Sequence, residues 1–190
     1  MIIIVKTTIR RKYMKRLALF FVILISLVAC NLVNTPSSVV ENYLNNYTSL
    51  SEDVITSMET TILNEELSSS NRETYKNVLL RTYENLKYEI KDESIDKDKA
   101  EVLVRIKVYD LNKSDQDARE YLNEHPQDFE DVNHIFMEDE FNNYRLKSML
   151  TTNDIVEYDI KVKLTKVDNE WILDPLDRTS LEKIHGLYNE

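Results

Sequence analysis

The side chains able to do chemistry in this chain of 190 residues are few, and their spacing is restrictive. Cys30 is the sole cysteine, so there is no intrachain disulfide and no set of thiolates for a structural metal. His134 and Glu138 stand four apart and can share a helix face, but the zinc helix motif needs a second histidine, and none follows. Asp96 and Asp98 have the spacing of the first two ligands of a calcium loop. Ala100 occupies the third ligand position, and the required glycine and closing glutamate are missing as well. No metal and no cofactor are expected.

The histidines fall at a helix end (His125), in a loop (His134) and on the last helix (His185), none on the inward face of a predicted strand. Each is expected to be solvated or to cap a helix, and no residue is assigned a catalytic role. Tyr83, Tyr88, Tyr109, Tyr158 and Trp171 have ring faces and polar tips that suit a pocket, but at these spacings they are expected to be core. The acidic stretch of Asp128, Glu130, Asp131, Glu138, Asp139 and Glu140 imposes no ligand spacing and reads as a solvated helix flank.

Gly186 is the only glycine, which excludes GxGxxG and Walker-type phosphate loops. All six basic residues of positions 1–29 (Lys6, Arg10, Arg11, Lys12, Lys15, Arg16) precede the first acidic one. The remainder carries 18 Lys and Arg against 34 Asp and Glu, a formal charge of −16 where the whole chain has −10. Such a surface repels nucleic acid, and no nucleic-acid partner is expected.

The elements that must position these groups follow from periodicity. Thr35 and Pro36 start a helix that aligns Val40, Tyr43, Leu44 and Tyr47. Ser51 starts a second helix, and Ser70 with Glu73 reads as the capping box of a third. At Leu86 the period changes to two, with Leu86, Tyr88 and Ile90 on one face, and the turn Asp96, Lys97, Asp98 leads to Val102, Val104, Ile106 and Val108. A third strand over 156–167 turns at Asp168 and Asn169 into a short last strand with Trp171 and Leu173, ended by Pro175. Between strands two and three, residues 112–152 are too long for a hairpin loop. They predict two helices, the first capped by Ser114 and Asp117 and stopped at Pro126, the second presenting Met137, Phe141, Tyr144 and Met149. A final helix starts near Thr179 and carries Leu181, Ile184 and Tyr188.

The basic cluster is followed by an apolar run over 17–29, broken only by Ser26, and then by Leu27, Val28, Ala29, Cys30. A dozen apolar residues suit a signal peptide and fall short of a spanning helix. The four residues resemble the lipobox of bacterial lipoproteins, which implies cleavage before Cys30 and lipidation of its sulfur. Residues 1–29 are then a removed signal peptide, starting at Met1 or Met14, 30–35 a lipidated tether, and 36–190 one domain. The expected location is the extracytoplasmic face of the cell membrane, with the lipid on Cys30 as the membrane contact.

The expected fold class is α+β, with N-terminal helices packed on a curved antiparallel four-stranded sheet and a helical insertion between strands two and three. That order, the hairpin from Lys166 through Asn169 and Trp171 to Asp174, and the ending Ile184, His185, Gly186, Leu187, Tyr188 resemble small Firmicutes lipoproteins of the NTF2-like (cystatin-like) superfamily. The resemblance implies a cone-shaped domain and carries no activity with it. It leaves open a noncatalytic binding module for a protein or small ligand, a small enzyme acting on an envelope metabolite, and an immunity or stress lipoprotein that binds a secreted toxin.

Overall fold

Alternation and helix capping account for most of the architecture. The computed structural model describes residues 34–189. The leader, the lipobox motif and Cys30 lie outside the described residues. Three helices come first: α1 (Pro36–Thr48), α2 (Glu52–Leu63) and α3 (Ser69–Glu84). The strands β1 (Lys87–Asp96), β2 (Lys99–Tyr109), β3 (Ile155–Val167) and β4 (Glu170–Leu173) form an open antiparallel sheet in sequence order. Between β2 and β3 the chain makes α4 (Leu111–Glu124), a short 3₁₀ turn (Pro126–Phe129) and α5 (Glu138–Thr151), and α6 (Arg178–His185) follows β4. The α+β arrangement with a helical insertion is as the periodicity predicts.

The inner face of the sheet is set by period two. Register pairs Val102 with Val162, Val104 with Ile160 and Ile106 with Tyr158, all buried against the helices. The outer face alternates charges, so that Arg105 meets Asp159 at 2.8 Å and Lys107 meets Glu157 at 2.6 Å. Exposed pairs of this kind add little stability. They keep that face wet and fix which side packs.

A bulge interrupts β1 between Ile90 and Asp92. Unbroken alternation would turn Glu93 and Ile95 outward; with Lys91 as the extra residue they stay in register with Val102 and Ala100, which are buried. Glu93 then accepts hydrogen bonds from the backbone N–H and hydroxyl of Ser37, in the first turn of α1. A carboxylate there meets the positive end of the helix dipole.

The β3–β4 turn is built from Asp168 and Asn169, both at positive φ (50° and 72°), which is the type I′ geometry that suits a two-residue hairpin. Asn34 covers the free edge of β4: its side chain accepts from the N–H of Trp171 and donates to the carbonyl of the same residue.

Two helix starts differ from expectation. α3 is capped by Ser68, which accepts from the N–H of Asn71 at 3.3 Å, not by Ser70 with Glu73. Three consecutive serines leave the cap ambiguous, and tertiary contact decides, because Asn71 is fully buried and donates to the backbone carbonyl and to one carboxylate oxygen of Asp139 on α5. α4 is capped by Asp110, which accepts from the N–H of Lys113 at 2.9 Å. Ser114, expected at the cap with Asp117, is buried inside the helix, since Leu111 must enter the core directly after β2.

α3 separates two apolar clusters. Leu79 and Tyr83 belong to the main core with the sheet, α1 and α2, while Val78 packs with Leu111, Leu146 and Met149 of the insertion. The insertion is therefore a second layer on the far side of one helix.

Candidate functional site

A cleft of about 720 Å³ opens where α1, α2, α3 and α6 converge. The residues that shape it come from helix faces. Tyr43 and Tyr47 are four apart on α1, Tyr75, Leu79 and Tyr83 repeat at four on α3, and Arg178, Leu181, Glu182 and His185 share one face of α6. α2 adds Val54 and Met58, with Asp53 at its first turn.

The floor is aromatic. Tyr47 lies edge-on to Tyr43 and to Tyr83, with ring centroids 5.5 and 5.0 Å apart, and His185 tilts against Tyr83 at 5.5 Å. Polar tips are paired along this row. The hydroxyls of Tyr43 and Tyr47 are 3.2 Å apart, and the hydroxyl of Tyr83 is 2.8 Å from Nδ1 of His185. Burial pushes the imidazole down to about 4, with the carboxylate of Glu182 pulling weakly the other way. Burial likewise raises the phenols of Tyr47 and Tyr83. At neutral pH the floor is uncharged.

The rim is charged. Arg178 is paired with Glu182 at 2.6 Å, whereas Asp53 and Glu65 enter no ion pair among the described residues. The cleft thus combines a neutral aromatic floor with a rim of net negative sign.

His185 is the principal correction to the sequence reading, which expected it to be solvated or capping. His185 lies on the α6 face that carries Arg178, Leu181 and Glu182 into the cleft, which brings its ring to Tyr83 of α3, and the left-handed Gly186 (φ 72°) ends the helix directly after it. The signal was present in the spacing of Arg178, Leu181, Glu182 and His185. His125 and His134 lie as expected: His125 caps the end of α4, its backbone N–H donating to the carbonyl of Tyr121 and its ring tilted 4.5 Å from that of Tyr121, and His134 is exposed with Nδ1 3.0 Å from Glu130.

The five aromatic residues singled out in the sequence do not line one pocket. Only Tyr83 reaches the cleft. Tyr88 donates to Asn45 at 2.7 Å, Tyr109 lies 3.8 Å beneath the guanidinium of Arg81, Tyr158 is edge-on to Tyr188, and Trp171 is buried under β4. Tyr43 and Tyr47, which the periodicity only aligned on one face of the first helix, and Tyr75 are the cleft members that were not singled out. Among the described residues, no three His, Cys, Asp or Glu side chains are grouped to hold a metal ion, and Asp96 and Asp98 sit at a hairpin turn.

A second exposed feature is the tip of the insertion, residues 130–137. Asp131 accepts from the backbone N–H groups of Asn133 and Ile135 at 2.8 and 2.9 Å, which holds its carboxyl below the usual range. A bridge between Glu130 and Phe136 closes the loop. This turn presents Val132, 96% exposed, beside Ile135 and Phe136, amid the acidic residues Asp128, Glu130, Asp131, Glu138, Asp139 and Glu140. Glu138 and Glu140 of the acidic stretch are exposed, whereas Asp128 accepts from Tyr121, Asp131 from its own loop and Asp139 from Asn71.

Among the described residues no helix is long and apolar enough to cross a membrane. No family model matches the chain, and no curated protein matches it. Among solved structures, a candidate lipoprotein (ycdA) of Bacillus subtilis is similar at 17% identity and a TM-score of 0.42 over 75% of this chain. The match spans about half of that protein, 47% of its length.

Proposed function

We propose that this protein is a lipid-anchored binding module on the extracytoplasmic face of the cell membrane, and that the tip of its insertion docks a basic protein. The anchor rests on three features of the leader that agree independently: the basic cluster, an apolar run of signal-peptide length, and Cys30 directly after Leu27, Val28 and Ala29. Two acyl chains on Cys30 suffice for stable attachment, where one is marginal.

The observation that carries the docking surface is Val132, an aliphatic side chain almost wholly in water on a loop whose backbone is tied by Asp131. Apolar side chains on a pre-ordered loop bind at low entropic cost. The carboxylates that flank them in the chain favour a partner with an apolar pocket bordered by Lys and Arg, and a secreted basic toxin is one such partner.

An enzymatic reading draws on the pair Tyr83 and His185. Their shifts run away from neutrality in opposite directions, which leaves neither group suited to carry a proton at pH 7. The pair serves recognition better than catalysis.

Two experiments test the proposal. Cys30→Ala should abolish fatty-acid labelling and release the protein from membranes, and retained labelling would refute the anchor. A photo-crosslinker at position 132 of the intact protein on cells should capture a basic protein, with the adduct lost at high salt and in Asp128→Asn/Glu138→Gln. Equal capture from a crosslinker at Lys97, in the β1–β2 turn, would remove the docking role.

A further inference from the structure

The cleft between α1, α2, α3 and α6 has a chemistry of its own, and we infer that it binds a small organic cation, a quaternary ammonium or an alkylamine. The site stands apart from the insertion tip and from the anchor, so it survives or fails independently of both.

The size fits first. About 720 Å³ lies within the roughly 300–1,000 Å³ common for small-molecule sites. The walls then select the ligand class. A cation is attracted to an aromatic face within about 6 Å of the ring centroid. Tyr47 lies edge-on to Tyr43 and to Tyr83, with centroids 5.5 and 5.0 Å apart, so the rings brace one another without stacking face to face, and a cation in the cleft lies over the face of one half-buried ring. Tyr43 and Tyr75 are half-buried and form the accessible walls, and Tyr47 and Tyr83 form the floor.

Charge decides between cation, anion and neutral molecule. His185 is uncharged because of its burial, and Tyr83 occupies its Nδ1. The basic group at the rim, Arg178, is neutralised by Glu182 at 2.6 Å. Asp53 and Glu65 remain without an ion-pair partner among the described residues. An anion would meet those carboxylates and the negative ring faces. A metal ion requires several converging oxygens, and among the described residues no such group of three acidic or histidine side chains exists. An organic cation needs neither: its alkyl groups replace water on Val54, Met58 and Leu181 while its charge is met by ring faces and the distant carboxylates.

The polar pairs have a place in the same account. The hydroxyls of Tyr43 and Tyr47 are paired with each other and that of Tyr83 with Nδ1 of His185, which holds the rings in position. Nε2 of His185 makes no hydrogen bond among the described residues, and in the neutral tautomer whose Nδ1–H donates to the Tyr83 oxygen it can accept the hydroxyl of an alkanolamine.

The test uses the full chain in a nonionic detergent, titrated calorimetrically with tetramethylammonium, choline, a primary diamine, and the uncharged alcohol in which carbon replaces the nitrogen of choline. At least one of the cations should bind, and choline should bind about tenfold or more tighter than its carbon isostere, as cation–π attraction in a desolvated site allows. Tyr43→Leu should weaken the cation severalfold, while Tyr43→Phe, which keeps the ring, should retain it. Asp53→Asn, at an exposed position in the first turn of α2, should also weaken it, beyond the small loss of thermal stability that a missing N-terminal carboxylate brings. Equal affinity for the isostere, a neutral effect of Asp53→Asn with Tyr43→Leu, or no binding by any of the cations would overturn the inference.

Discussion

The hydroxyl of Tyr83 and Nδ1 of His185 meet at 2.8 Å although 102 residues separate them, and this contact joins α6 to α3 across the cleft. It gives the fold a titratable point. The imidazole falls from its ordinary 6.5 to about 4 in the folded chain, so between those values the unfolded chain binds the extra proton. Stability should be level above pH 6.5 and decline as the pH falls toward 4. The shift corresponds to about 3 kcal/mol at the acid end. The measurement is a difference, so that every other effect of acid cancels: urea unfolding of the native chain and of His185→Gln from pH 7 to 4, with the dependence on pH expected to be smaller in the variant.

Tyr83→Phe removes one partner and leaves a buried imidazole nitrogen unsatisfied. The expected loss is about 1–3 kcal/mol, visible in the urea midpoint without a change in slope.

Gly186 is the single position where glycine is obligatory. Its φ of 72° is strained for other residues, and a Cβ there would collide with the carbonyl oxygen of Tyr109. Gly186→Ala should cost at least about 2 kcal/mol and should disturb His185 and the start of α4 together, because Asn112 donates to the Gly186 carbonyl. Thermal unfolding, with the His185 ring resonances as local probe, checks both parts.

Asn71 ties the insertion to α3. It is fully buried, donates to the backbone and side chain of Asp139 and accepts from Asn143 at 3.3 Å. Asn71→Leu orphans these partners, and a loss of about 2 kcal/mol is expected, concentrated in α5. Hydrogen exchange should accelerate in residues 138–151 more than in β2 and β3; uniform acceleration would show that the insertion is not a separate layer.

Asp131→Ala should loosen the tip and spare the core. The amides of Asn133 and Ile135 lose their acceptor, so their exchange should quicken while the unfolding midpoint stays unchanged.

The strands were legible in the sequence because period two with one charged face admits a single inward set, as Val102 to Val108 and Tyr158 to Leu164 demonstrate. The type I′ turn was legible from Asp168 and Asn169. Helix starts were less so wherever several capping residues adjoin: Ser68, Ser69 and Ser70 are equivalent until Asn71 finds Asp139. The cleft was the least legible, since its parts come from four helices and their meeting is a tertiary fact. Tyr43 and Tyr47 were legible only as one face of α1, and His185 was expected to be solvated or capping until the face it shares with Arg178, Leu181 and Glu182 meets α3. The bulge at Lys91 has no compositional mark at all, and its reason appears only when Glu93 reaches Ser37.

Asn34, by holding both backbone groups of Trp171, sets the length of a leash. Four residue steps separate it from Cys30, a reach of at most about 14 Å when fully stretched. With Cys30 acylated as proposed, the edge of β4 is moored within one protein layer of the lipid headgroups, and the domain can pivot but not drift away from them. Encounters with its ligands then take place in a thin shell over the membrane, where a partner that is itself confined to that surface meets it at far higher local concentration than one dissolved in bulk.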